Sequence, residues 1–110
     1  VDMQDSDGDT ALMLAAHHGY ERVVELLVQH GAEINKQSSE GPTALMLAAQ
    51  EGHERVVDLL LQRGAEINLQ SSSGCTALLC AAIQGYPAIV LRLLRAGADT
   101  ALRSENGKTA

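Results

Sequence analysis

Phenylalanine and tryptophan are absent from this chain of 110 residues, and its aromatic residues are Tyr20 and Tyr86 alone. Apolar residues still make up 45% of it, the share of an ordinary globular protein. The core must therefore be assembled from Leu, Val, Ile, Ala and Met, which suits thin layers of small helices better than one large globule. Cysteine is scarce: Cys75 and Cys80 form no disulfide framework. No apolar run approaches the ~20 residues needed to span a bilayer, and no secretory signal opens the sequence. A cytoplasmic or nuclear protein without membrane insertion is expected. Basic charge is short as well. The net charge is -6, whereas nucleic acid binding calls for a basic face. The acids are unevenly spread: residues 1–40 hold eight against Arg22 and Lys36, while residues 88–110 hold Asp99 and Glu105 against Arg92, Arg95, Arg103 and Lys108. A partner of the N-terminal half should be neutral or basic.

An internal period is plainly present. Gly8, Gly41, Gly74 and Gly107 are each 33 residues apart, as are Thr10, Thr43, Thr76 and Thr109. Gly19, Gly52 and Gly85 keep the same spacing, and so do Gly31, Gly64 and Gly97. Such a period is the mark of a repeat array. In each unit a threonine stands where a helix N-cap belongs, its hydroxyl able to accept a free N–H of the first turn. In the first unit a short helix follows from Ala11 to His18 and stops at Gly19, since a left-handed closing residue is cheapest as glycine. A second helix is expected from about Glu21 to His30, with Val23, Val24, Leu26, Leu27 and Val28 as its apolar stripe. Residues 32–41 are polar and turn-rich. Helices of eight to ten residues fall below the ~12–15 at which an isolated helix is even marginally stable. Each must stack on its neighbours, as in a solenoid.

These units resemble the ankyrin repeat. Asp5-Ser6-Asp7-Gly8-Asp9-Thr10-Ala11-Leu12-Met13-Leu14-Ala15-Ala16 follows the first half of its pattern, Gly52-His53 the end of its first helix, and Leu60-Leu61-Gln62-Arg63-Gly64-Ala65-Glu66-Ile67-Asn68 its second half. The resemblance implies an all-α solenoid of stacked antiparallel helix pairs with projecting β-hairpin loops. One repeat domain over residues 1–110 is expected, with repeats at about 5–37, 38–70 and 71–103 and a partial fourth at 104–110. Departures are clear. Ala11, Ala44 and Ala77 replace the family's proline, and Met13, Met46 and Leu79 replace a histidine that links to the adjacent hairpin, so packing should take over that link. The third unit departs most, with Cys80 for Leu14 and Leu47, Pro87 for Glu21, and Ala101 for Asn35. No polar capping repeat is visible at either end. The array is therefore expected to continue beyond these residues or to self-associate through uncapped ends.

Catalytic chemistry finds no foothold. Asp5-Ser6-Asp7-Gly8-Asp9 suggests a calcium loop but places glycine wrongly, and Ala16 stands where the bidentate glutamate should be. His17 and His18 are adjacent, hence about 100° apart on a helix, not an i, i+4 metal pair. Cys80 aligns with leucines and reads as a small core hydrophobe. Cys75 has no neighbouring His or Lys to activate it. No cofactor, metal or enzymatic activity is expected.

Positions that differ between units are free to make contacts. Two groups vary: the hairpin, with Asp7, Asp9, Glu40, Pro42, Ser73 and Cys75, and the end of the first helix, with His17, His18, Gln50, Glu51, Ile83 and Gln84. The resemblance implies that these line a concave face that binds a protein surface or an extended peptide. A structural spacer within a longer array is the competing reading. Asn35 and Asn68 each follow a leucine by eight residues and a glutamate by two. In ankyrin domains this pattern is a substrate for asparaginyl hydroxylation.

Overall fold

A computed structural model describes residue 4 and residues 10–38 and 41–98. Six helices follow one another: α1 (Ala11–His18), α2 (Glu21–Gln29), α3 (Ala44–Glu51), α4 (Glu54–Gln62), α5 (Ala77–Gln84) and α6 (Pro87–Arg95). No strand occurs among the described residues. The odd-numbered helices stack in one row, α1 on α3 and α3 on α5, and the even-numbered helices form a looser second row behind them.

The threonines start the first row. The Thr10, Thr43 and Thr76 hydroxyls accept the amides of Met13, Met46 and Leu79 at 3.2, 3.3 and 3.2 Å. All three threonines are buried, so water cannot stand in for the bond, and losing such a cap costs about 0.5–2 kcal/mol. In the first repeat the Met13 Sδ accepts the Thr10 amide in return at 3.4 Å. Met13 and Met46 are themselves buried, so packing and a weak sulfur acceptor occupy the position where a polar link was lost. Gly19, Gly52 and Gly85 end the first row at φ 76°, 82° and 79°, and the chain turns back at once into the second helix. That helix has no side-chain cap. Pro87 opens α6, where a missing N–H costs nothing and a fixed φ is already helical. The second helix of the first repeat ends at Gln29, one residue before the expected His30, which serves as C-cap while its ring Nδ1 sits 2.8 Å from the Leu26 carbonyl.

Leu12, Leu45, Val24, Val57, Leu60, Ile89 and Leu93 form the core with the alanines of the first row. Alanine at Ala15, Ala16, Ala48, Ala49 and Ala81 lets successive helices approach closely, and all five are buried. Aromatic bulk would force the layers apart, which is why a chain with two aromatic residues packs well here.

Between units the loops form the same turn twice. The Ser38 amide donates to the Pro42 carbonyl at 3.1 Å and the Gly41 amide to the Ser38 carbonyl at 2.9 Å. Ser71, Cys75 and Gly74 repeat both bonds at 2.8 and 2.9 Å. A ladder of glutamines ties neighbouring turns together: the Gln4 side chain donates to the Gln37 carbonyl at 3.4 Å, and Gln37 to the Gln70 carbonyl at 3.0 Å. Gln37 and Gln70 also brace their own turns through the Gly41 and Gly74 carbonyls at 2.6 and 3.1 Å.

Candidate functional site

The face formed by the loops and the first helices carries a groove of about 370 Å³. Pro42, Met46 and Gln50 supply one wall. Their spacing of four brings them onto one side of α3 and its approach. Ser71, Ser72, Ser73, Cys75 and Cys80 supply the other wall, from the next loop and α5. Four residues singled out in the sequence (Pro42, Gln50, Ser73 and Cys75) therefore meet in one place. Ser72, a neighbouring position of the same variable loop, lies with them, and Met46, Ser71 and Cys80 join them unannounced. Repetition hides Met46 and Ser71, because residues equivalent between units read as frame. Cys80 is where the units differ, and that difference was the available signal.

The groove mixes apolar walls with hydroxyl and amide groups, the general chemistry of a recognition surface. Ser71 Oγ lies 3.0 Å from Ser73 Oγ and accepts the Cys75 amide at 3.3 Å, which holds the loop wall in place. Cys80 is half-buried rather than a full core residue. Burial first, and the neighbouring Cys75 second, push its thiol up to about 11. It stays protonated near neutrality and is a poor nucleophile there.

Beyond the groove, the exposed ends of the first helices continue the same face. His18, Gln50, Glu51, Ile83 and Gln84 are exposed and His17 half-exposed. His17 Nε2 stands 3.6 Å from Glu51 Oε2, an ion pair whenever the histidine is protonated, and Gln50 Nε2 is 3.5 Å from the same carboxylate oxygen. Ile83 is 70% exposed, a large apolar side chain with no cover. The His18 ring meets His17 edge-on at 4.8 Å and stacks on Tyr20 at 5.5 Å. Asp7, Asp9, Glu40 and the partial repeat at 104–110 lie outside the described residues.

The second-helix row offers a different hollow, of about 390 Å³, lined by Glu21, Arg22, Glu25, Arg55, Asp58, Leu59 and Gln62. Its two cations face three anions, which largely neutralise one another. Next to it, Arg92 bridges two repeats through Asp58 and, at 3.3 Å, Glu54. The corresponding residues are Leu26 and Leu59, so this bridge is a local feature of the third repeat. Asn35 also bridges repeats: its Oδ1 accepts the Glu66 amide at 2.7 Å. Asn68 is exposed in the next loop. Among the described residues no three His, Cys, Asp or Glu side chains gather to hold a metal ion, and no helix is long and apolar enough to cross a membrane.

A family model described as ankyrin repeats, in three copies, matches residues 1–71 and 36–104. The chain belongs to the ankyrin-repeat family. No curated protein matches it. Ankyrin repeats in general mediate protein–protein interaction and form a non-enzymatic module. The paired helices, threonine caps and tied loops described above are how this sequence builds that module.

Proposed function

We propose that this ankyrin-repeat chain binds a protein surface or an extended peptide through its loop tips and the exposed face of its first helices. The groove that joins Pro42, Gln50, Ser73 and Cys75 supports this reading. It lies where the repeats differ in sequence, and its loops are held by the glutamine ladder and paired turns before any partner arrives. A preorganised surface loses little conformational freedom on association. A partner reaching residues 1–40 meets eight acidic residues against two basic ones, and so should be neutral or basic on that side.

The test begins with peptides selected on the chain from a random displayed library, with dissociation constants read by fluorescence anisotropy. Alanine at Glu51, Ile83 and Gln84 together should weaken binding by about tenfold or more, the scale of losing more than one contact of ~1 kcal/mol. Alanine at Arg22 and Arg55 should change it by less than about twofold. The opposite pattern would place the partner on the second-helix row. A library that enriches no peptide would favour the spacer reading.

A further inference from the structure

The third repeat carries two thiols at positions where the other repeats carry none. Cys75 stands immediately before the N-cap Thr76, and Cys80 is the fourth residue of α5. Side chains at these two positions of a helix start tend to pack against each other, because an extended N-cap turns the incoming chain back over the first turn. Thr76 has that conformation, with φ -109° and ψ 172°. The equivalent pairs are Asp9 with Leu14 and Pro42 with Leu47, which have no chemistry to share.

Both backbones are held in place. The Cys75 carbonyl accepts the Ser71 amide at 2.8 Å, and the Cys75 amide donates to Ser71 Oγ at 3.3 Å. The Cys80 amide donates to the Thr76 carbonyl at 2.9 Å, and the Leu79 amide to Thr76 Oγ1 at 3.2 Å. Both cysteines are free and half-buried, and both line the groove of about 370 Å³ described above. A small solute entering that groove meets the two together. They are near enough to interact, since charge on Cys75 adds to the burial that raises Cys80.

We propose that Cys75 and Cys80 are a redox-active dithiol, closed to an intramolecular disulfide by a small disulfide oxidant of the glutathione type. The Cys75 thiolate attacks one sulfur of the oxidant, which expels a first thiolate and leaves a mixed disulfide on Cys75. The Cys80 thiol then gives its proton to solvent and attacks the Cys75 sulfur, expelling the second thiolate. The dithiol yields two electrons and two protons, and the oxidant becomes two thiols. The order follows from the surroundings. Burial holds the Cys80 thiol at about 11, so it is the slower sulfur to begin the exchange. Proximity compensates in the second step, because the fold raises the effective concentration of one sulfur at the other. The bond joins the loop part of the groove wall to its helical part. The inference is independent of whether the groove receives a partner.

The experiment equilibrates the 110-residue chain with mixtures of oxidised and reduced glutathione, in native buffer and in urea, and reads the products by mass spectrometry after acid quench and alkylation. In native buffer the product should be a Cys75–Cys80 bond within one chain, with little mixed disulfide left. The equilibrium constant for forming it should be about tenfold or more larger than in urea, where the sequence separation is the same but nothing holds the two sulfurs together. By linkage, the oxidised chain should resist unfolding by the same factor, about 1.4 kcal/mol. Cys80→Leu, which installs the residue of the other repeats, should stop at a Cys75–glutathione adduct. Cys75→Ser should be modified more slowly at neutral pH. A native constant no larger than that in urea, or a native chain that collects only mixed or intermolecular disulfides, overturns the proposal. A Cys75→Ser chain that reacts as fast as Cys80→Leu overturns the assigned order.

Discussion

Leu60→Ala is expected to lower the unfolding free energy by about 2–5 kcal/mol, the range for deleting a buried leucine side chain. Leu60 has no exposed surface and lies at the centre of the stack, where repeats on both sides close over it. The neighbouring α3 is held by its Thr43 cap, which limits collapse into the space. Small domains are stable by only about 5–15 kcal/mol in total, so the substitution removes a large part of the margin. Leu27→Ala supplies the control. It is the same residue one repeat earlier, only partly buried, on the helix that ends the row. Less cavity forms there, and the loss should be less than half as large. Urea unfolding followed by circular dichroism gives both values. Equal losses at the two positions would mean that stability is set within each repeat and not by the interfaces between them.

Gly41→Ala should be nearly as damaging, for a backbone reason. Gly41 has φ 97°, a region in which a Cβ costs about 1–2 kcal/mol. A Cβ there would also come within 2.6 Å of the Ser72 amide nitrogen and 3.0 Å of the Ser71 Cα. These are backbone atoms of the next loop and cannot rotate away. Forcing extra volume into packed surroundings adds about 1–3 kcal/mol, for a total on the order of 2–5 kcal/mol. Gly31→Ala separates the two causes. Gly31 has φ 93°, but no atom of the described residues lies within 4 Å of the added carbon, so only the conformational cost applies. Urea unfolding should rank Gly41→Ala well below Gly31→Ala. If both lose the same amount, the loops of neighbouring repeats are not in contact at that point.

Much of this architecture could be read from single residues. A threonine followed by a short apolar helix and a glycine marks each first helix, because cap and terminator act locally and need no knowledge of the rest of the chain. The junctions were harder. Gln4, Gln37 and Gln70 keep the 33-residue spacing, yet a polar loop residue carries no sign that its amide will meet the next turn's carbonyl. Only the stacking of loops brings the two together. Tyr20, His53 and Tyr86 read as one packing position, but the glycine that His53 or Tyr86 covers ends another helix, 34 residues earlier. The groove was half legible for a similar reason. Variation between units pointed to Pro42, Gln50, Ser73 and Cys75, whereas Met46 and Ser71 repeat too faithfully to stand out, although one side of each still faces the groove.

Hydrogen–deuterium exchange of the chain, with and without a selected peptide, tests most directly whether recognition falls on the loop and first-helix face. Added protection should concentrate in Ser71–Cys75 and at the ends of α3 and α5, around Gln50, Glu51, Ile83 and Gln84, with α2 and α4 unchanged. Protection gained instead along Arg22, Glu25, Arg55 and Asp58, with the loops unaltered, would contradict it.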